Sequence, residues 1–152
     1  MADIVSPEQR SKMMSKIRAT DTRPEILVRK ALYARGFRYR LHDRQLPGKP
    51  DLVLPKYNAV IFVHGCFWHG HDCHLFRWPK SREEFWREKL SRNRLRDSQA
   101  LVQLHDKQIR TLIVWECSLK GKGRLDFSSL VNMVSDWLKG NSNHNEIRGR
   151  SR

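Results

Sequence analysis

The spacing of apolar side chains along the chain changes from a helical period to strand-like patterns and then alternates between them. Apolar residues recur at helical spacing after Thr22-Arg-Pro-Glu25, a capping-box pattern, and this predicts a helix that ends at Gly36. A similar start at Ser6-Pro-Glu-Gln9 predicts a short basic helix to about Lys16. Strict alternation over residues 37–41 predicts a half-buried strand.

A continuous apolar run over residues 59–63 predicts a strand that is buried on both faces of a sheet, and residues 109–115, which end in an apolar run, predict a second buried strand. A short strand over residues 51–54 precedes the first run, with a turn on each side. A capping box at Ser81-Arg-Glu-Glu84 predicts a long helix between the two runs, with a break near Asp97. The predicted architecture is therefore α/β, with a mixed central sheet flanked by helices.

One folded domain with a polar extension at each end is expected from the rest of the pattern. Asp126 or Ser128 begins a last helix, whose apolar side ends before Gly140, so the element order is α-α-β-β-β-α-β-α. We assign residues 1–20 to an N-terminal arm and residues 21–140 to a single domain. Residues 141–152 are polar and rich in Gly, Ser, Asn and Arg, and we expect them to form a disordered basic tail.

The charge balance narrows the class of protein. The 152 residues contain 30 Lys and Arg against 16 Asp and Glu, a formal net charge of +14. No apolar run approaches the roughly 18 residues of a membrane span, and the first residues lack the pattern of a secretory signal. A polyanionic partner, most often nucleic acid, accounts for such an excess, and charge that serves only solubility is the alternative.

Histidine and cysteine are concentrated in one short segment, His64-Gly-Cys-Phe-Trp-His-Gly-His-Asp-Cys-His74. Cys66, His71 and Cys73 have the thiolate and imidazole groups that zinc prefers. Cys117 follows the strand over residues 109–115, which we expect beside the strand that leads into the segment, so it can supply a fourth ligand. A closed site of four ligands indicates structural zinc; free buried cysteines and a catalytic zinc are the alternatives.

Carboxylates indicate a second metal site. Asp51 begins a short strand next to the buried strand that ends at Val63, and such a pair of strands can hold a carboxylate and a backbone carbonyl close together. Mg²⁺ prefers oxygen ligands of this kind, and Glu25 and Asp97 can hydrogen-bond the waters of such an ion. Asp after Pro is also a common turn element, so Pro50-Asp51 alone is a weak indication.

The combination is more specific than its parts. Pro50-Asp51, the buried strand after it and the upstream helical Glu25 resemble the restriction-endonuclease-like fold, with its α-β-β-β-α-β core. Cys66-Phe-Trp-His-x-His-x-Cys73, with Val60-Ile-Phe-x-His64-Gly before it and Trp115-Glu-Cys117 after it, closely resembles the very-short-patch repair (Vsr) endonucleases. Glu84-Phe-Trp86-x-Glu-Lys89, Asn93 and Arg96-Asp97 extend the resemblance, which covers residues 10–138.

The resemblance implies a strand-specific DNA nickase that recognises the T:G mismatch left by deamination of 5-methylcytosine and cuts on the 5′ side of the T. It implies that Asp51 and the main-chain carbonyl of Val63 bind catalytic Mg²⁺, and that Zn²⁺ is structural. His69 would be the general base and His64 would assist at the phosphate. Glu25 and Asp97 would contact metal-bound water.

The resemblance also implies how mismatched DNA is read. Phe67, Trp68 and Trp86 would wedge into the base stack, Met14 would enter from the opposite groove, and Lys89 and Asn93 would contact the mismatched bases. The acidic-x-Lys motif of the wider nuclease fold is absent, and Phe62-Val-His64 stands in its place. Because a backbone carbonyl serves as the metal ligand in the Vsr group, this departure does not remove the expected site.

The partners that this interpretation implies are double-stranded DNA and mismatch-repair proteins. A monomer in the cytoplasm, associated with the nucleoid and without a membrane partner, is expected. A non-catalytic, zinc-stabilised DNA-binding module is the alternative, since it would share the charge, the aromatic residues and the zinc. Such a module would not need Asp51, His64 and His69 together. A related nuclease with a branched or RNA substrate is a further alternative.

Overall fold

A computed structural model describes residues 22–150, which form a five-stranded sheet with α-helices packed on both faces. The elements in chain order are α1 (Arg23–Ala34), β1 (Arg40–Leu41), β2 (Leu52–Leu54), β3 (Ala59–His64), α2 (Glu83–Asp106), β4 (Arg110–Trp115), α3 (Phe127–Lys139) and β5 (His144–Ile147). The predicted arm over residues 1–20, including Met14, lies outside the described residues. Between residues 22 and 150, no helix is both long and apolar enough to cross a membrane.

The sheet is mixed, as predicted, and its strands follow the order β1-β2-β3-β4-β5. The first three strands pair antiparallel, whereas β4 is parallel to both β3 and β5. The predicted adjacency of the two apolar runs is confirmed, and the last pair in their register is His64 with Trp115. Because parallel neighbours end at the same edge, the segments that follow β3 and β4 leave the sheet side by side.

Alternation along the strands divides the core into two layers. Ile61 faces the layer that contains Val28 of α1 and Leu130 of α3, whereas Val60 and Phe62 face the opposite layer. That second layer contains Leu104 of α2 and also the three cysteines. The cysteines therefore lie at the end of a hydrophobic core and not on an exposed loop.

Two predicted helix starts are confirmed, and one is wrong. The Oγ1 atom of Thr22 accepts a hydrogen bond from the backbone N–H of Glu25 (3.4 Å), and Asp126 caps α3 in the same way. The helix α2 instead begins after Arg82, which has a left-handed backbone (φ 56°) and no side-chain cap, so the predicted Ser81 capping box is wrong. The predicted break near Asp97 is also wrong, since α2 is continuous for 24 residues.

The C-terminal segment corrects the predicted domain boundary. Residues 144–147 form β5, and the N–H of Arg150 donates to the carbonyl of Gly123 (2.8 Å), so the expected disordered tail is wrong as far as residue 150. An edge strand is held mainly by backbone hydrogen bonds, and only Ile147 of β5 is buried, so its composition remains polar. The strand expected over residues 37–41 is reduced to Arg40–Leu41, both exposed.

Candidate functional site

Asp51 lies immediately before β2, beside the end of β3. Its Oδ2 atom accepts a hydrogen bond from the backbone N–H of Val63 (2.7 Å), so the carboxylate lies beside the residue whose carbonyl is the expected second ligand. Glu25 reaches the same place from α1 and is buried (1% exposed). One carboxylate oxygen of Glu25, one of Asp51 and one ring nitrogen of His42 lie within 4.8 Å of one another.

The environment of Asp51 disfavours its negative charge. Burial, together with the neighbouring Glu25 carboxylate, raises the pKa of Asp51 to about 7, although the hydrogen bond from Val63 acts in the opposite direction. Glu25 is in turn held by Arg29 (2.8 Å) and His42 (2.7 Å), which both contact its Oε2 atom. Two crowded carboxyl groups are suited to a hard divalent cation, because its charge would relieve their repulsion. The residues present therefore fit the expected Mg²⁺.

Three further predicted residues meet at the end of β3. The rings of His64 and His69 are stacked, with centroids 3.7 Å apart and planes 4° apart. The Nδ1 atom of His69 lies 2.5 Å from Oδ2 of Asp97 on α2. Because a carboxylate only accepts hydrogen bonds, Nδ1 of His69 is the donor in this contact, and in the neutral form of the ring Nε2 is then the acceptor.

His64 is the inner member of this stacked pair. It is 8% exposed, and its Nδ1 atom is buried without a hydrogen-bond partner in residues 22–150. Burial lowers the pKa of His64 well below its ordinary value, and the neighbouring His69 and His71 act in the same direction. His64 is therefore neutral at physiological pH.

The four predicted zinc ligands are brought together by the adjacent ends of β3 and β4. One ligand atom each from Cys66, His71, Cys73 and Cys117 lies within 4.8 Å of the others. The Nδ1 atom of His71 is 3.5 Å from Sγ of Cys66 and 3.7 Å from Sγ of Cys117. A tetrahedral zinc ion with bonds of about 2.0–2.3 Å places its ligand atoms about 3.5–3.8 Å apart.

The chemistry of this Cys/His cluster also fits a bound cation. Burial raises the pKa of Cys66 and that of Cys117, whereas it lowers the pKa of His71 to about 4, with Arg148 adding to the effect. Backbone N–H groups nevertheless point at the sulfurs: that of Cys117 donates to Cys66 (3.3 Å) and that of Gly149 donates to Cys117 (3.2 Å). Such donors stabilise thiolates, and a neutral imidazole is the form that binds a metal.

The predicted wedge residues form a connected aromatic cluster beside the Cys/His cluster. Phe67 contacts both Trp68 (ring centroids 5.2 Å apart) and Trp86 (5.3 Å), and the two tryptophans are 5.9 Å apart. All three are half-buried, in contrast to Trp115 and Trp137, which lie in the core as predicted. Aromatic rings that are held together but remain accessible can stack on bases.

The predicted mismatch contacts and the basic residues lie along α2. The Nδ2 atom of Asn93 donates to the carbonyl of Trp68 (2.9 Å), which attaches the segment that contains Phe67 and Trp68 to the helix. Lys89, one turn earlier, is half-buried. Arg82 at the helix start and Arg92 and Arg96 on α2 are exposed, as a phosphate-contacting surface requires.

Some residues of the site have no counterpart in the sequence predictions. His42 joins Glu25 and Asp51 through a contact that spans 17 positions, which no local pattern indicates. The ring of Trp115 is stacked on His71 (3.9 Å, 5°), although the apolar run predicts only its burial. Glu116 accepts a hydrogen bond from the N–H of Cys66 (3.2 Å). Its position between Trp115 and Cys117 is the sequence feature that could have indicated this contact.

Comparisons with known proteins show which family this chain is similar to. A family model described as "DNA mismatch endonuclease Vsr" matches residues 2–75. The chain is 45% identical to the type II nicking enzyme V.NmeAIP of Neisseria meningitidis over 138 residues, which is 90% of this chain and 99% of the relative. It is 42% identical to the DNA mismatch endonuclease Vsr of Escherichia coli over 140 residues, which is 92% of this chain and 90% of the relative.

Carboxylates and histidines at the strand ends of a mixed α/β sheet, with a basic helix beside them, are groups that a nuclease uses to bind a metal ion, activate water and contact DNA phosphates. The two relatives match nearly the whole of this chain. The chain belongs to the Vsr family of DNA mismatch endonucleases. The predicted enzyme class is thereby confirmed over the alternative of a non-catalytic DNA-binding module.

Proposed function

We propose that the protein is a Mg²⁺-dependent, strand-specific nickase that cuts double-stranded DNA on the 5′ side of the T in a T:G mismatch. Membership of the Vsr family supports the endonuclease activity, and the names of the nicking relatives support cleavage of one strand. The resemblance of the motifs implies the T:G substrate. Structural Zn²⁺ in the Cys/His cluster completes the proposal.

The single observation that carries this proposal is the contact between Asp97 and His69 beside His64. In our proposal Asp97 accepts the Nδ1 proton of His69, so Nε2 of His69 takes a proton from the attacking water as general base, a contribution of about 10²–10⁴ in rate. The water oxygen forms a bond to phosphorus while the bond to the leaving sugar oxygen breaks. His64 interacts with the phosphate of the cleaved strand.

This role for Asp97 differs from the one that the resemblance implies. Contact with metal-bound water would leave the orientation of His69 to other groups, whereas the observed 2.5 Å contact lets Asp97 select the tautomer of His69. Glu25 retains the implied role, since it lies against Asp51. A magnesium ion held by Asp51 and the carbonyl of Val63 would supply Lewis-acid stabilisation of the charge that develops on the phosphate.

The aromatic cluster supports mismatch recognition. Unstacking a base step costs a few kcal/mol, less where pairing is already defective, and stacking on an aromatic ring returns about 1–3 kcal/mol per base. Phe67, Trp68 and Trp86 can therefore enter a T:G site more readily than a matched duplex. Lys89 and Asn93 are proposed to contact the mismatched bases, and Met14 is proposed to enter from the opposite groove.

The test is cleavage of a duplex that carries one T:G pair, with each strand labelled by a different fluorophore. The wild-type protein is expected to cut only the T-containing strand, in Mg²⁺ and not in EDTA. Asp51→Ala is expected to lose cleavage while it binds the duplex within about tenfold of the wild type, and His69→Ala is expected to lose most of the rate with its zinc retained. A duplex with a C:G pair at the same position is the matched control.

The outcomes separate the parts of the proposal. Equal cutting of the T:G and C:G duplexes would contradict the substrate, and equal cutting of both strands would contradict strand specificity. Unchanged cleavage by Asp51→Ala would contradict the metal assignment. A wild-type protein that binds the T:G duplex but never cuts it in Mg²⁺ would contradict the proposed nicking activity itself.

A further inference from the structure

The indole of Trp115 lies between the Cys/His cluster and the two proposed catalytic histidines. Its ring is parallel to that of His71, at a centroid distance of 3.9 Å. It is nearly perpendicular to the rings of His64 (5.3 Å, 72°) and His69 (6.0 Å, 76°). These are the stacked and edge-to-face geometries that aromatic pairs prefer, so the orientation of one indole bears on three imidazoles.

The orientation of this indole is set from β5. The Nε1–H of Trp115 donates to Oε1 of Glu146 (2.8 Å), and the other carboxylate oxygen, Oε2, lies 3.1 Å from Nε2 of His144. Both oxygens of Glu146 are thus engaged. Burial alone would raise the pKa of Glu146, but hydrogen bonds from Trp115 and His144 outweigh it and lower the pKa overall, so the group is ionised at neutral pH.

Glu146 is itself anchored to the buried sheet. The Nδ1 atom of His144 lies 2.7 Å from Oγ1 of Thr111, a fully buried residue of β4, and His105 at the end of α2 lies 2.9 Å from the same hydroxyl. The contacts run from α2 through Thr111, His144 and Glu146 to the indole. The Glu146 side chain is 46% exposed, but hydrogen bonds to both of its carboxylate oxygens restrict where the carboxylate, and with it the indole N–H, can lie.

We propose that Glu146 is a positioning residue for nicking: by holding the Trp115 indole, it fixes the rings of His64 and His69. This inference rests on the proposed function, in which these histidines act on water and phosphate. A misplacement of about 1 Å at a catalytic group can cost about 10²-fold in rate, so the support of the rings matters as much as their identity. Glu146 touches neither of the two rings and acts through Trp115.

The test compares the single substitutions Glu146→Ala and Glu146→Gln in the 152-residue chain. The Gln side chain keeps an oxygen that accepts a hydrogen bond from the indole N–H, whereas Ala removes this acceptor. We expect kcat for the T:G duplex to fall by about ten- to 10²-fold in Glu146→Ala with KM within about twofold, and Glu146→Gln to stay within about threefold of the wild type. Asp136→Ala, which removes an exposed carboxylate from α3, is the matched control.

Two readouts besides activity accompany the kinetics. The ¹⁵N-labelled protein gives an indole N–H signal for Trp115 and ring-nitrogen signals for His64 and His69, and all are expected to shift in Glu146→Ala and not in Asp136→Ala. Zinc content, measured by mass spectrometry, is expected to remain at the wild-type level. Wild-type kcat in Glu146→Ala despite a shifted indole signal would overturn the inference, as would a parallel loss of zinc and activity.

The experiment also separates this inference from the proposed function. A wild-type protein that does not nick the T:G duplex would contradict the proposed function. The ring-nitrogen signals of His64 and His69 would still test the positioning, because it is a property of the protein without DNA. Signals that stay unchanged in Glu146→Ala would then overturn the inference by themselves.

Discussion

Replacement of Asp51 by Asn should remove the proposed activity and yet make the metal-free protein more stable. Asn has nearly the same shape as Asp, and its Oδ1 atom can still accept the hydrogen bond that Asp51 receives from Val63. The substitution removes a carboxyl group whose charge is disfavoured by burial and by the adjacent Glu25, so the repulsion disappears while the packing remains. Stability and activity are therefore expected to change in opposite directions.

The magnitude follows from the raised pKa of Asp51, about 7 against an ordinary 3.8. Each pKa unit corresponds to about 1.4 kcal/mol, so the ionised carboxyl lowers the free energy of unfolding by about 2–4 kcal/mol at pH 8. The sign is that of an acid with a raised pKa in the folded state. The wild type is unaffected below about pH 4 and loses stability as the pH rises through about 7, whereas the variant does not.

The assay is thermal unfolding of both proteins in EDTA at pH 5 and pH 8, followed by circular dichroism. At about 2–4 °C per kcal/mol, Asp51→Asn is expected to raise Tm by at least about 5 °C at pH 8, and by much less at pH 5. The exposure to EDTA must be brief, and its concentration low enough, to leave the zinc content unchanged, and metal analysis checks this. Asp136→Asn, at an exposed position on α3, should show no such pH-dependent difference.

Addition of Mg²⁺ completes the experiment. A ligand at 100 times its Kd stabilises a folded protein by about 2.7 kcal/mol, so Mg²⁺ should raise Tm of the wild type at pH 8 and leave Asp51→Asn nearly unchanged. A variant less stable than the wild type at pH 8 in EDTA would refute the repulsion between Asp51 and Glu25. Equal stabilisation of both proteins by Mg²⁺ would refute Asp51 as a metal ligand.

Three further substitutions test the other parts of the site and the fold. Cys117→Ser should release zinc and lower Tm, because one of four ligands loses its thiolate; wild-type zinc content by mass spectrometry would contradict this. Asp97→Ala should slow nicking at least tenfold with unchanged DNA binding, since no side-chain oxygen then accepts a hydrogen bond from Nδ1 of His69; a wild-type rate in single-turnover cleavage would exclude the orienting role. Arg110→Ala should lower the free energy of unfolding by about 3 kcal/mol in urea, because the guanidinium donates to the carbonyls of Trp137 (2.5 Å), Leu138, Tyr57 and Ser142. Arg124→Ala removes one exposed hydrogen bond and is the control; an equal loss there would contradict the role of Arg110.

The parts of the site that depend on strand order could be predicted from the sequence. The apolar runs over residues 59–63 and 112–115 indicated neighbouring buried strands, and adjacency alone brings Cys117 to the segment that contains Cys66, 51 positions away. Thr22 and Asp126 were predictable as helix caps because capping is a contact between residues three positions apart. A helix cap is a local contact, and the burial of a strand is common to all of its residues, so a sequence pattern can indicate both.

Other parts depend on contacts that no periodicity records. His42 follows the edge strand β1 and itself has a left-handed backbone (φ 50°). It belongs to no helix or strand, so no periodic spacing indicates its contact with Glu25. The strand β5 is polar because its pairing with β4 uses backbone atoms, and the single buried residue Ile147 is too weak a signal. The role of Glu146 could not be predicted while this segment was expected to be disordered.

The short segment after β3 contributes residues to the Cys/His cluster and also to the proposed catalytic and DNA-wedging groups. Cys66 and His71 face the Cys/His cluster, His69 faces His64 and Asp97, and Phe67 joins the aromatic cluster. These residues lie within six positions and are outside helices and strands, and of the four only Cys66 is buried in the hydrophobic core. A cluster that binds one ion through four residues supplies rigidity at short range. We therefore expect the proposed general base, His69, and the proposed wedge residue Phe67 to depend on the same ion. Loss of zinc would then impair mismatch recognition and cleavage together.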